Sequence, residues 1–419
     1  MSKIKEIISR EILDSRGNPT LDTKIILNNG INSSASVPSG ASTGEHEAHE
    51  LRDEDYTRYG GKGVLKALEN VNKKISKLLV GKDVAKQEEI DKAMISLDGT
   101  KNKKKLGANA ILSVSLACAR TAALLKKQEL FEYISTTYKF KKKYKMPTPC
   151  FNVFNGGKHA DTNLEFQEFM IIPIKERSFA EKVRMGAETF HSLSRVLKEG
   201  GYDTDVGNEG GYAPDITSSV QAIEFIMAAM INAGYEPGKD AGLGIDVGSS
   251  EVYDKEKKQY IFKLDNAHFS KNDIIGLYNE WFRKFPIISI EDGLDQDDWE
   301  GWRELTKELG DEMLIIGDDL FVTNIERLRR GLKEKAANSI LIKLNQIGTL
   351  SETIECVKLA QKHNYKIMVS HRSGETCDDF IGDLAVAISA EYIKSGSLSR
   401  GERLAKYNRL MEIENIIKK

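Results

Sequence analysis

Apolar residues along the second half of the chain gather into short runs, and each run stops at one ionisable group. GLGID ends at Asp246, IISIE at Glu291, LIIGD at Asp318, SILIK at Lys343 and KIMVSH at His371. Short Ile/Leu-rich runs of this kind read as buried strands, and the amphipathic stretches between them, such as Thr353 to His363, read as helices. Each step from Glu291 to His371 holds one strand, one helix and two turns. The longer step from Asp246 to Glu291 contains EVYDKEKKQYIF, which predicts a hairpin around a charged turn. Strands alternating with helices predict a parallel sheet under helical cover, and the length of this part suits a closed (β/α)₈ barrel of about 250 residues. In such a barrel the polar groups that end successive strands converge on one face, where active sites form.

Residues 1–138 read differently. Strand-like alternation, as in Leu21-Asp22-Thr23-Lys24-Ile25, is followed by helices, so this part is predicted to be a smaller α+β domain ahead of the barrel at 139–419. Its clearest helix, GANAILSVSLACARTAALL from Gly107, is dense in Ala, Ser and Cys, a composition for close packing. The basic, aromatic-dotted stretch YKFKKKYKMPTP from Tyr138 lies between the two bodies and reads as a solvated linker, with nucleic-acid or membrane contact as the lesser alternative.

Composition narrows the functional classes. Among 419 residues, 61 Lys and Arg nearly balance 63 Asp and Glu, for a net charge of -2, which argues against a dedicated nucleic-acid binder. With 40% hydrophobic residues and only 8 prolines the chain is not disordered. Cys118, Cys150, Cys356 and Cys377 form no C-x-x-C pair, so neither a disulfide framework nor a zinc ribbon is indicated. Charge interrupts every apolar stretch of MSKIKEIISREILDSRG, and no later segment is expected to span a bilayer. A cytoplasmic protein without a signal peptide is therefore expected.

Asp246, Glu291 and Asp318 would bring three carboxylates into one mouth, where like charges need compensation. All three offer oxygen and no thiolate joins them, so the counter-charge should be a hard cation, Mg²⁺ in preference to Zn²⁺. Lys343, close to a cation, could lose its proton and act as a base, or could equally pair a barrel acid. His371-Arg372-Ser373-Gly374 offers a guanidinium and a hydroxyl to a phosphate or carboxylate. No Walker-type loop exists, so a phosphate would be held by side chains. FNGGKHADTNLEFQEFM sets His159 and Glu168 after a Gly pair, and DTDVGNEGGYAP sets Glu209 among glycines. PSGASTGEHEA puts Ser42 and Thr43 between Gly40 and Gly44, as in a mobile lid.

Together these stretches resemble the enolase family over essentially the whole chain: REILDSRGNPT from Arg10, GNEGGYAP from Gly207, DDLFVTN from Asp318, ILIKLNQIGTL from Ile340 and SHRSGET from Ser370. The resemblance implies an α+β capping domain, a modified eight-stranded barrel with one antiparallel strand, and reversible dehydration of 2-phosphoglycerate to phosphoenolpyruvate. It implies two Mg²⁺ per site, the tighter on Asp246, Glu291 and Asp318, the second reached by Ser42. Lys343 would take the C2 proton and Glu209 would assist loss of the C3 hydroxyl, with Glu168 in its hydrogen-bonded network. His159 and His371 would touch the substrate, Arg372 and Ser373 would hold its phosphate, and Lys394 its carboxylate. Lys158, Asn208, Gly248 and Val252 depart from commoner family choices without removing a catalytic group.

The resemblance further implies a homodimer, with octamers in some members, and secondary partners such as an RNA-degradation complex or plasminogen, without direct nucleic-acid or membrane binding. A minor surface-displayed fraction would accompany plasminogen binding. The terminal Lys418-Lys419 pair offers a handle for it, although an exposed helix end is the plainer reading. A related acid-sugar dehydratase or racemase would share the metal acids but not HRSGE or the Ser42 loop.

Overall fold

Alternating burial folds the N-terminal segment into an antiparallel meander of β1 (Ile4–Leu13), β2 (Pro19–Leu27) and β3 (Asn32–Ser36). The computed structural model describes residues 2–41, 44–141 and 143–418. Leu21 and Ile25 of β2 are fully buried, and the helix Ala108–Lys126 packs on β2 and β3. The Oγ1 of Thr23 and the Oγ of Ser113 meet at 2.7 Å in that interface, so the small residues of the helix allow a close approach. One expectation is corrected here. This helix is long and apolar enough to cross a membrane, but 83% of its apolar window is buried inside the fold, because it is the core helix of the first domain.

The barrel strands are β4 (Thr148–Asn155), β5 (Glu168–Pro173) and β6 (Ala241–Asp246). A three-stranded hairpin insertion follows, β7 (Tyr253–Asp254), β8 (Gln259–Phe262) and β9 (Ala267–Phe269), where the charged turn predicts one. The barrel resumes with β10 (Ile287–Glu291), β11 (Leu314–Gly317), β12 (Ser339–Ile342), β13 (Lys366–Ser370) and β14 (Tyr392–Lys394). They close in the order β10-β11-β12-β13-β14-β4-β5-β6, and only β5 runs antiparallel to its neighbours. Cys150, Met170, Ile172, Ile316, Leu341 and Met368 form a small apolar cluster separate from the main core, which fills the barrel interior as packed side chains.

The two domains are locked by backbone pairing. Ser39 and Gly374 exchange N–H···O bonds of 2.8 Å in each direction, and Ser15 donates to the Glu375 carbonyl at 2.7 Å. A Cβ at Gly374 would stand 2.5 Å from Asp14 Oδ2 and 2.6 Å from Arg16 Nη2, so glycine is required for the approach. The basic stretch is less free than its composition indicates. Tyr138 is buried, and Tyr144 packs edge-on to Phe131 with ring centroids 4.9 Å apart. Its aromatic residues tether it to the core, and Lys139, Lys141, Lys143 and Lys145 face outward.

Candidate active site

Strand direction assembles the site. Parallel strands put their last residues at the mouth, while the antiparallel β5 puts its first residue there. Register makes the neighbours explicit: Asn155 pairs with Glu168, Glu168 with Asp246, and Asp246 with Glu291. Asp318, Lys343 and His371 each follow the last residue of β11, β12 and β13, and Lys394 ends β14 beside Ser370.

His159, Glu168, Glu209, Asp246, Lys343, His371, Arg372, Ser373 and Lys394 line one cavity together with Gln167 and Ser370. Glu291 and Asp318 join through the two lysines. The Lys394 ammonium lies 2.8 Å from Glu291 Oε1, 3.2 Å from Asp246 Oδ2 and 3.2 Å from Glu168 Oε1, and Lys343 pairs with Asp318. Of the two roles open to Lys343, the pairing with a barrel acid is the one this state displays. The expected Ser42 lies outside the described residues, as does Thr43. Flanking them, Ala41 N donates to Ser373 Oγ at 2.7 Å and Gly44 N to Glu47 Oε1 at 3.1 Å.

The electrostatics follow from burial and charge. Burial, reinforced by the Asp246 charge, pushes Glu291 up to about 8. Burial also works to raise Asp318, but the charge and hydrogen bond of Lys343 outweigh it and hold Asp318 below the usual carboxylate range. In return Asp318 overcomes the burial of Lys343 and keeps it protonated, as Glu168, Glu291 and Asp246 do for Lys394.

Ligand atoms of His159, Glu168 and Glu209, one from each, also gather within 4.8 Å of one another. Burial and the Glu209 charge push Glu168 well above the usual carboxylate range. Burial opposes the Glu209 charge, yet His159 and His371 beside it, the hydrogen bond from His371 Nε2 at 3.3 Å and the Arg403 charge hold it well below the usual carboxylate range. The two carboxyl groups are thus shifted in opposite directions. Burial brings His371 down to about 3, so its imidazole is neutral, and burial lowers His159 too. Arg403 Nη1 lies 2.6 Å from His371 Nδ1, which must accept, so the ring proton sits on Nε2 facing Glu209. Glu168 Oε2 and His159 Nδ1 are buried without a hydrogen-bond partner, as in a cavity built for a polar ligand.

Several residues here carry no local signal in the sequence. Arg403, fully buried in the last helix, also donates to the carbonyls of Arg372, Ser373 and Asn208 at 2.6, 2.6 and 2.9 Å, fixing the loop after β13. Glu47 pairs with Arg372, and Gln346 donates to Asp318 Oδ1 at 2.8 Å and to Glu47 Oε1 at 3.3 Å. Asp292, at a left-handed φ of 43°, accepts the N–H groups of Asp318 and Asp319, both at 2.9 Å. It holds the turn that presents Asp318. Glu47 lies within PSGASTGEHEA and Asp292 directly follows IISIE, but neither segment marks its acid as a partner of the site. Gly248, also left-handed at φ 57°, approaches Gln167 so closely that a Cβ would stand 2.3 Å from Nε2.

A closed barrel with one reversed strand thus gathers acids and lysines at one mouth, a set fit for acid–base chemistry. The family model described as "Enolase, N-terminal domain" matches residues 4–134, and that described as "Enolase, C-terminal TIM barrel domain" matches residues 143–419. The chain belongs to the enolase family, and it is a lyase of the enolase superfamily.

Members of this family typically bind Mg²⁺, and the residues present fit it. Asp246, Glu291 and Asp318 stand at the ends of three adjacent strands and offer only oxygens, the donor set a hard cation takes. Asp292, Asp318 and Asp319 form a second cluster with atoms within 4.8 Å, but Asp292 spends its two oxygens on backbone N–H groups.

Proposed function

We propose that the chain reversibly dehydrates 2-phosphoglycerate to phosphoenolpyruvate and water. The carrying observation is that one cavity is lined by Lys343 and, four strands round the barrel from it, by Glu168, with Glu209, Arg372 and Ser373 on the same lining. Mg²⁺ bound by Asp246, Glu291 and Asp318, with a second ion near Ser42, would supply positive charge for the dianionic aci-carboxylate made when a proton leaves beside a carboxylate.

The chain's own residues divide the rest. Arg372 and Ser373 hold the phosphate, Lys394 the carboxylate, and His159 and His371 line the substrate. Lys343 acts as the free amine and takes the C2 proton, a form favoured once Asp318 is engaged elsewhere. The C2–H electron pair then forms the C2=C3 bond as the C3–O bond breaks. Glu209 delivers to the departing hydroxyl a proton held on Glu168, so water leaves.

The test is the ultraviolet absorbance of phosphoenolpyruvate formed from 2-phosphoglycerate with Mg²⁺. No product from well-folded protein overturns the reading, and turnover of an unphosphorylated sugar acid in its place would favour the acid-sugar dehydratase. A homodimer in the cytoplasm is part of the same proposal. Plasminogen binding gains nothing further: Lys418 pairs with Glu414 at 3.1 Å, and Lys419 lies outside the described residues.

A further inference from the structure

The chain is close to neutral overall, yet one surface groove is not. The stretch after Tyr138 and the helix Leu350–Lys362 enclose a cavity of about 700 Å³. Six lysines surround it: Lys139, Lys141, Lys143, Lys145, Lys358 and Lys362. All six are exposed, and none forms an ion pair among the described residues. Elsewhere on the surface lysines commonly find acids, as Lys73 does with Glu69, Lys271 with Glu304 and Lys284 with Glu280. The lining of the groove contains no acid at all. Lys358 and Lys362 stand four residues apart on one helix face, where like charges repel.

The groove is preformed, so its charge is held in place. Lys139 takes a left-handed φ of 60°, and the next residue, Phe140, donates its N–H to the Ser135 carbonyl at 2.9 Å. Ser389 Oγ donates to the Lys143 carbonyl at 3.4 Å, and Gln361 Nε2 to the Ile388 carbonyl at 2.7 Å. Phe140 and Tyr144 line the wall, and the Lys358 ammonium lies 5.7 Å from the Phe140 ring centroid.

We propose that this groove binds a chain of phosphates, the backbone of a single-stranded nucleic acid or inorganic polyphosphate, by charge and without sequence preference. The lining is all lysine and no arginine. Ammonium groups act as point charges, so a row of them can follow a flexible chain of phosphates without fixed bidentate geometry. A concave groove admits a flexible chain and presents few of its lysines to a flat membrane. Binding would release the counterions that the unpaired ammonium groups and the phosphates otherwise hold. The aromatic wall offers a face on which a base could stack. The balanced net charge argued against a dedicated nucleic-acid binder, and it still does. What the fold adds is the local concentration of charge.

The test is fluorescence anisotropy of a labelled oligouridylate against the full chain over a potassium chloride series, with unlabelled polyphosphate as competitor. Expected are binding that weakens steeply with salt, competition by polyphosphate, and at least a tenfold loss in a Lys141→Glu/Lys143→Glu/Lys358→Glu variant that melts like the parent. Removing three lysines should make the log–log salt slope shallower by about 2. If polyphosphate competes phosphate for phosphate, the chain of charges alone is the ligand. If RNA binds more tightly and Phe140→Leu erases the surplus, the nucleic acid is the source. Absence of salt-dependent binding overturns the proposal, as does a triple variant that binds like the parent. Displacement by polyglutamate as effective as by polyphosphate, or lysine-dependent capture on anionic vesicles in place of RNA binding, overturns it too.

Discussion

Glu47 and Arg372 form a buried bidentate ion pair, with Nη1 2.9 Å from Oε2 and Nη2 3.2 Å from Oε1. A carboxylate close to the glycine-rich loop thus already fills the guanidinium fork that the proposed reaction assigns to the substrate phosphate. Through Gln346 the same carboxylate is linked to Asp318. Phosphate recognition, loop position and the metal acids share one hydrogen-bonded chain.

If phosphate must displace Glu47, Glu47→Gln should bind a non-reacting phosphonate analogue about tenfold more tightly by calorimetry, because a neutral amide competes less well. Arg372→Lys should weaken the same ligand by a similar factor or more, since a lysine lacks the fork, and should leave Mg²⁺ affinity unchanged. Weaker analogue binding in Glu47→Gln would make Glu47 a support for the phosphate site and not its occupant.

Lys394 serves as the counter-charge to Glu168, Asp246 and Glu291 while no ion is bound. Lys394→Met leaves those buried acids uncompensated, at a cost of about 3–5 kcal/mol to the metal-free protein. Added Mg²⁺ should restore much of it, giving a larger rise in melting temperature than in the parent. Asp318→Asn should do the opposite and weaken Mg²⁺ binding. Equal Mg²⁺ shifts in all three proteins would remove these residues from the metal site.

His371 lies at about 3, below its ordinary value of 6.5, because burial favours the neutral ring. For a base depressed in the folded state, the stabilisation is complete above about pH 6.5 and is lost as pH falls toward 3. Nitrogen NMR should find the Nε2–H tautomer with no titration near neutrality. Arg403→Leu, which removes the donor to Nδ1 and a nearby positive charge, should move the titration upward. A parent imidazole that titrates near 6.5 would contradict the assignment.

Division of labour between Lys343 and Glu209 can be read from isotope exchange. Lys343→Ala should abolish both elimination and exchange of the C2 hydrogen with solvent deuterium. Glu209→Gln should abolish elimination yet retain measurable exchange, since the base remains in place. Exchange that survives only in Lys343→Ala would reverse the two roles.

The barrel was legible because each strand from β10 to β13 is a short apolar run ending in or at a single polar group, a pattern set by burial on both faces. The residues that the resemblance assigns to the site were legible for the same reason, since they stand at strand ends or in glycine-rich loops with distinctive neighbours. Their partners were not. Arg403 belongs to a helix far along the chain from His371 and Asn208, and nothing in GERLAKYNRLM marks it as buried beneath them.

By itself the sequence determined which segments become strands, which polar groups end them and which family the chain resembles, because these depend on local pattern and residue type. Only the tertiary structure decided the charge states. Lys343 is tied to Asp318, Lys394 sits among three carboxylates, and Glu168 is pushed up while Glu209 is held down, since each depends on distances between groups from different strands and on their common removal from water. The same holds for the six lysines of the basic groove. Composition counted them within a neutral chain, and the packing of one linker against one helix left them facing each other without an acid.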